Sequence, residues 1–234
     1  MATTAQSKAD ELAKTFLAKS LLPENEVNEY TTLEPGTSDC MNCFLHLRVR
    51  DVRKLLKALD EFSGTGPDLL PARVLKRCAD VIALPVTLLT RKLLHDGRWP
   101  ECWRKHWVHS IYKKGSKAEA KNYRGVHLTP QLSKIVERAI GTLLLPWLEK
   151  QQAFGPHQYA YGKGRGYKDV LVINVCSWLL AMEQGDLVGL YCSDVSGAFD
   201  RVSRPRLVSK LELLGLHTVC RLFWQAGLKT GYQR

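Results

Sequence analysis

The sequence predicts a mixed α/β (α+β) fold that is mostly helical, with a basic β-hairpin and one short strand. Apolar residues recur at i, i+3, i+4 and i+7 through much of the chain, which indicates amphipathic helices. A lysine-rich turn at residues 113–125 separates two short strands. Residues 187–192 form an apolar run two residues before Asp194, which predicts a buried strand that delivers a carboxylate to its C-terminal edge.

The first third of the chain is predicted to be a polar extension followed by helices. Residues 1–47 are polar and rich in turn signals, which favours a linker with one modest amphipathic stretch at residues 9–20. Gly97 follows the last helix of this region and is expected to close it. The predicted helices cover residues 49–62, 71–79 and 81–95.

Aromatic and apolar spacing defines the elements that follow. Trp99, Trp103 and Trp107 repeat every four residues, and packing in the core is the favoured role for this stripe over base stacking. Residues 107–112 predict the first strand of the hairpin. Thr129 and Pro130 are an N-cap and a first-turn proline for the next helix. Further helices are predicted over residues 131–150, 205–214 and 216–229.

Charge is distributed unevenly along the chain. The 34 Lys and Arg residues and 23 Asp and Glu residues give a net charge of +11. Residues 1–70 hold 8 basic and 11 acidic residues, so the positive charge belongs to residues 71–234. This asymmetry favours a nucleic-acid partner, and a solvated basic face is the alternative. Cys40 and Cys43 have metal-ligand spacing but no second ligand pair, so a zinc site is not expected.

The N-terminus lacks a signal-peptide pattern, and no apolar run approaches the length of a membrane span. The seven cysteines are mostly scattered and odd in number, which is typical of reduced thiols. We therefore expect an intracellular protein, nuclear or cytoplasmic, without a membrane partner.

Four segments of the sequence resemble the motifs of one protein family, in the family's order. Residues 110–116 read Ser-Ile-Tyr-Lys-Lys-Gly-Ser, and residues 122–128 read Asn-Tyr-Arg-Gly-Val-His-Leu. Residues 158–169 read Gln-Tyr-Ala-Tyr-Gly-Lys-Gly-Arg-Gly-Tyr-Lys-Asp, and residues 194–202 read Asp-Val-Ser-Gly-Ala-Phe-Asp-Arg-Val. This wording resembles the reverse transcriptases of non-LTR (LINE-type) retrotransposons.

The resemblance implies a right-hand polymerase fold and divides the chain into three parts. Residues 1–47 would be the linker or N-terminal extension, residues 48–185 the fingers region, and residues 186–234 the start of the palm. The family's Tyr/Phe-x-Asp-Asp motif, which supplies the other metal carboxylates, does not occur in the sequence. We therefore expect a truncated form of the enzyme: the fingers and the first palm strand, without an endonuclease.

Phosphoryl transfer with two metals requires carboxylates that hold Mg²⁺ between the attacking hydroxyl and the triphosphate. By resemblance, Asp194 would be a catalytic Mg²⁺ ligand and the Val195 carbonyl would face the same metal. Phe199 would lie under the sugar and exclude a ribose 2′-hydroxyl. The alternative for Asp194 is an N-cap of the next helix. Asp200 is expected to pair with a nearby arginine rather than take part in the chemistry.

The resemblance also assigns the basic residues. Lys113, Lys114 and Arg124 would neutralise the triphosphate of a dNTP, since lysine is a mobile point charge and arginine a bidentate fork. The family usually has proline at Gly125, so a looser turn is expected there. A solvated lysine-rich loop is the alternative. The residues expected to contact the template strand are Gln158, Lys163, Gly164 and Arg165.

The function predicted from the sequence is therefore that of an RNA-directed DNA polymerase. Its partners would be an RNA template, a DNA primer and dNTPs, and the complete relative would use Mg²⁺. The chain alone is expected to be inactive, because a two-metal site cannot be assembled from one family carboxylate. A non-catalytic RNA- or DNA-binding remnant of a mobile element is the alternative from a different class. A metabolic nucleotide-binding enzyme is disfavoured because no intact phosphate loop is present.

Overall fold

The computed structural model describes residues 4–20, 46–162, 164–195, 198 and 202–216. The described part is mostly helical and contains a two-stranded antiparallel hairpin, as the sequence predicted. Among the described residues, no helix combines the length and the apolar content needed to cross a bilayer. The predicted helix at residues 216–229 lies almost entirely outside the described residues.

The chain divides into two compact units, Met1–Trp147 with Gly197–Arg234, and Leu148–Ser196. The division into extension, fingers and palm at residues 47/48 and 185/186 stays a prediction. The elements of the first unit are α1 (Ala5–Ser20), α2 (Val49–Lys57), α3 (Ala72–Arg77), α4 (Ala79–Asp96), α5 (Glu101–Arg104), β1 (Trp107–Tyr112), β2 (Tyr123–Leu128), α6 (Gln131–Lys150), which runs on into the second unit, and α8 (Arg204–Leu213).

The core of the first unit forms where α2 packs on α4. Val52 and Leu56 of α2 are completely buried, and α4 carries the small residue Ala83 at a completely buried position. Thr87 and Thr90 are also completely buried, and each hydroxyl donates to the backbone carbonyl four residues earlier, at 2.6 and 2.7 Å. This bonding satisfies the hydroxyls inside an apolar interface.

Helix ends follow local chemistry that the sequence signals. Gly97 ends α4 in the left-handed conformation with φ of 61°, as its position predicted.

The aromatic stripe divides between elements: Trp99 and Trp103 are buried with their ring centroids 5.3 Å apart, whereas Trp107 begins β1 and is exposed. Two of the three tryptophans therefore have the predicted packing role.

A loop at residues 63–70 packs against the start of α6, where the chain leaves the hairpin. The Gln131 side-chain amide donates to the Gly64 carbonyl, and Gln131 itself is buried. The Cα of Gly66 lies so close to this junction that an added Cβ would be 2.5 Å from the Pro130 nitrogen and 2.7 Å from the Thr129 carbonyl carbon. Only glycine allows this approach of two backbone segments.

The second unit contains α7 (Tyr167–Glu183) and an irregular segment after it. The strand predicted at residues 187–192 is wrong: these residues have no regular structure, and Leu187 and Tyr191 are almost fully exposed. A strand needs a neighbour to satisfy its backbone N–H and C=O groups, and among the described residues only β1 and β2 pair with each other. The apolar sequence alone therefore does not produce the strand.

Substitution of Gly66 is expected to destabilise the chain, because the new Cβ would collide with backbone atoms that cannot move aside. We expect Gly66→Ala to lower the free energy of unfolding by about 1–3 kcal/mol. Gly64→Ala is the matched control in the same loop, since its Cβ would meet only Leu128 at an ordinary 3.6 Å. Urea denaturation measures both, and equal stabilities of the two variants would contradict the packing described.

Stability is expected to fall in mild acid because of His106. Burial lowers the pKa of His106 below its usual value, and repulsion from His127, whose ring centroid is 4.7 Å away, lowers the pKa further. A bond to the Arg104 backbone opposes the shift. The unfolded chain therefore binds the proton more readily than the folded chain, and stability decreases as the pH falls below about 6.5.

Thermal unfolding between about pH 7.5 and about pH 5.5 tests this expectation. His106→Gln should show a smaller loss of melting temperature across this interval than the unsubstituted chain. His109→Gln, an exposed histidine on β1, controls for the removal of an imidazole. A pH dependence unchanged by His106→Gln would show that this ring does not contribute.

Candidate nucleotide and nucleic-acid interface

The hairpin has one packed face and one exposed face. Its antiparallel register pairs Ser110 with Gly125 and Ile111 with Arg124, so these two pairs point to opposite faces. A Cβ on Gly125 would lie 3.4 Å from the buried ring of Phe16, which places α1 against the first face. Arg124 is therefore on the outer face, where Ile111 is also exposed.

Gly125 lies inside β2, not in the turn, so the looser turn expected from this residue is wrong. Its ladder partner Ser110 fixes its position in the strand. A side chain at position 125 would meet Val108 at 3.0 Å as well as Phe16. Glycine at this position lets α1 pack closely on the hairpin while Arg124 stays on the opposite face.

The turn of the hairpin is held by a set of polar contacts. The Lys113 backbone nitrogen donates to the Asn122 carbonyl at 2.8 Å, and the Asn122 side chain donates to the Ser116 carbonyl at 2.8 Å. The hydroxyl of Tyr123 donates to the Lys117 carbonyl at 2.9 Å. Gly115 has φ of 91°, a conformation that favours glycine. These contacts give the cationic turn a fixed backbone path.

Cations surround this turn, and most of them lack a carboxylate partner. Lys121 pairs with Glu119 at 2.9 Å, and the Lys117 ammonium lies 5.6 Å from the centre of the Tyr112 ring. Within the described ranges, no ion pair or side-chain hydrogen bond involves the three cations assigned to the triphosphate, and all three are exposed. These three are Lys113, Lys114 and Arg124. The hairpin thus presents uncompensated positive charge to an anionic ligand.

The glycine-rich loop of the second unit leads into α7. The Arg165 guanidinium donates to the Pro156 carbonyl at 3.1 Å, which closes the loop, and Gly164 has φ of 69°. The Gln158 amide donates to the Ala160 carbonyl at 3.2 Å. The carboxylate of Asp169 accepts from the Gly166 backbone nitrogen at 2.6 Å and caps α7. Lys163 lies outside the described residues.

Asp194 and Val195 are exposed in the irregular segment that follows α7. Ser203 is the N-cap residue of α8, so Asp194 does not cap that helix. Phe199 and Asp200 lie outside the described residues, and Cys40 and Cys43 do too. In the part of the chain that the structure covers, no group of three or more His, Cys, Asp or Glu side chains is arranged to hold a metal. The described residues alone therefore do not fit a Mg²⁺ site.

The structure brings Lys113, Lys114 and Arg124 onto one hairpin, and Gln158, Gly164 and Arg165 into one loop. The residues that hold the hairpin cations in place were not predicted from the sequence, namely Asn122, Tyr123 and Phe16. A signal for Asn122 was available, since asparagine side chains in turns commonly bond nearby backbone groups, whereas Tyr123 had no such signal. The role of Phe16 had no such signal, because α1 was expected to be part of a linker.

No family model matches the chain. It is 30% identical over 168 residues to the RNA-directed DNA polymerase from mobile element jockey of Drosophila melanogaster. This match covers 71% of the chain and 18% of the relative. The jockey polymerase of Drosophila funebris is 28% identical over 76% of the chain and 20% of its own length.

The probable RNA-directed DNA polymerase from transposon BS of Drosophila melanogaster is 25% identical over 72% of the chain. The chain spans about a fifth of the length of the curated relatives it matches. All of these relatives are RNA-directed DNA polymerases, or probable ones, from mobile elements or transposons. The chain is a distant homologue of the RNA-directed DNA polymerases of non-LTR retrotransposons.

Proposed function

We propose that the chain is the nucleotide- and template-binding part of a non-LTR reverse transcriptase, corresponding to the fingers and the start of the palm. One observation carries this proposal: Lys113, Lys114 and Arg124 are exposed without carboxylate partners in the described residues, on a hairpin whose turn is fixed. A charged loop whose only role is contact with water would not need this fixed geometry. An anion of high charge density, such as a triphosphate, matches it.

The cations have different tasks in this proposal. Lys113 and Lys114 follow β1 and hold phosphate oxygens as mobile point charges, while Arg124 offers two parallel N–H donors from a strand. Positive charge held in place before binding stabilises the additional negative charge of phosphoryl transfer, because little reorganisation is needed. The loop of Gln158, Lys163, Gly164 and Arg165 contacts the template backbone.

In the complete polymerase, Asp194 would supply one Mg²⁺ ligand together with the Val195 carbonyl, and Phe199 would select dNTPs over ribonucleotides. When bound, Mg²⁺ would position and polarise the reacting phosphate. The 234 residues contain no Asp-Asp pair to complete such a site. We propose that these residues by themselves bind nucleic acid and do not extend a primer.

A non-catalytic nucleic-acid-binding module is the second candidate. It is favoured by the same lack of further metal carboxylates in the described residues. Both candidates predict binding that depends on salt, so binding alone does not separate them. They differ in whether Asp194 has a catalytic task when the remaining carboxylates are supplied.

Removal of the hairpin cations should reduce the salt dependence of binding to single-stranded RNA. Each phosphate contact on a single strand contributes about 0.7 to the slope of log K against log salt, so three lost contacts should reduce the slope by about 2. The test variant is Lys113→Ala/Lys114→Ala/Arg124→Ala. Fluorescence anisotropy across a salt series measures the slope.

The matched control is Lys54→Ala/Arg73→Ala/Arg98→Ala. It removes the same charge from exposed cations outside the hairpin, for which the described residues show no ion pair. This control should lower affinity slightly through net charge and leave the slope nearly unchanged. Equal loss of slope in the two variants would mean that the hairpin is not a specific phosphate-binding surface.

Primer extension tests the proposed inactivity of the chain. Purified protein with an RNA template, a DNA primer, dNTPs and Mg²⁺ should yield no extended primer while still binding the primer–template. Synthesis that disappears in Asp194→Ala but persists in Asp186→Ala would overturn the proposal. Asp186 is the control because it is an exposed carboxylate of the same segment outside the motif.

A further inference from the structure

A cavity of about 370 Å³ lies within the second unit, between the loop at residues 157–160 and the first turns of α7. Cavities of about 300–1,000 Å³ are typical of small-ligand sites. The residues on its walls combine aromatic rings, amides and aliphatic side chains. They include His157, Gln158, Tyr159, Val170, Ile173 and Asn174.

Asn174 is the residue of this wall that the fold does not explain. It interrupts an apolar run on α7 between Ile173 and Val175, and asparagine is a poor helix former. It is half-buried, yet in the described residues no hydrogen bond involves its side-chain amide. Ser177, one turn later, instead bonds the Ile173 carbonyl at 2.8 Å. An amide without a hydrogen-bond partner among the described residues is available to a ligand.

Gln158 offers a second amide to the same cavity. Its nitrogen donates to the Ala160 carbonyl, which orients the group and leaves its oxygen as an acceptor. Asparagine and glutamine amides match the alternating donors and acceptors on the edge of a nucleobase. Tyr159 and His157 supply flat rings on which a base can stack, and Ile173 supplies an apolar contact.

A cation is held next to this cavity. Arg165 donates to the carbonyl of Pro156, which directly precedes His157, so its guanidinium lies beside the wall. This bond uses one of its five N–H donors, and the exposed remainder is free to meet a phosphate. A cavity large enough to hold a base, lined by two amides and flat rings and with a cation held beside it, is a suitable site for one nucleotide of a strand.

We propose that this cavity binds one unpaired nucleobase of a single-stranded nucleic acid, with its phosphate on Arg165. The inference rests on the proposed function, because it assumes that the loop follows a template strand. The inference adds Asn174, which the family motifs do not include. The side-chain amide of Asn174 forms hydrogen bonds with the edge of the base. In this proposal the cavity binds the base, whereas the hairpin binds the phosphates of the backbone.

The test compares binding of two single-stranded DNA oligonucleotides of equal length, one normal and one in which every base is replaced by an abasic site. Fluorescence anisotropy at low salt should show tighter binding of the normal strand, on the order of tenfold. Asn174→Ala should remove most of this preference. The same variant should leave affinity for the abasic strand and the salt slope unchanged, which a merely unfolded protein would not do.

Two controls separate the possible results. Asn174→Ala is expected to fold, because alanine favours the helix and no protein contact of the amide is lost. Cys176→Ala changes an exposed residue of the same helix that does not line the cavity, and should keep the preference. Equal binding of both strands, or a preference that survives Asn174→Ala, overturns the nucleobase site alone. Failure to bind either strand overturns the proposed function and the site with it.

Discussion

The candidate binding surface depends on positive charge that the protein holds in place without neutralising it. Lys113, Lys114 and Arg124 repel one another, and no carboxylate of the described residues forms an ion pair with them. The hairpin ladder, the Asn122 contacts to the turn and the tyrosine hydroxyl fix the backbone around them. This repulsion destabilises the folded unit, so packing elsewhere in the unit must compensate for it. A bound polyanion neutralises the cations and removes the repulsion between them.

The hairpin is held from two sides, and each contact depends on a glycine. Gly125 allows Phe16 of α1 to approach β2, and Gly66 allows the loop at residues 63–70 to reach the start of α6. The elements around the hairpin therefore act as a support for a charged surface. Arg124 faces outward because its neighbour in the strand faces α1, which follows from the alternation of side chains along a strand.

Sequence reasoning predicted most elements of the first unit because their signals are local. The helix at residues 131–150 has a proline at its start and a continuous apolar face, and α6 has those same bounds. The helix predicted at residues 49–62 ends at Lys57, since the residues after it turn into the loop that carries Gly66. The hairpin and the Gly97 cap of α4 were predictable because turns and helix ends favour particular residue types.

The failures share a cause: they concern contacts between distant parts of the chain. Residues 187–192 have a strand composition, but a strand forms only beside a partner, and none pairs with them in the described residues. α1 was assigned to a linker because its amphipathic pattern is weak, although its Phe16 is buried against the hairpin. Asn174 is a separate case, because a single polar residue in an apolar helix matches no sequence motif.

Photo-crosslinking of single-stranded RNA that carries 4-thiouridine, followed by mass spectrometry of the modified peptides, tests whether the hairpin and the loop bind nucleic acid. We expect adducts on the hairpin, residues 107–128, and on the loop at residues 157–166, both reduced by high salt. Adducts confined to α2, α3 or α4, with the hairpin unmodified, would contradict this expectation.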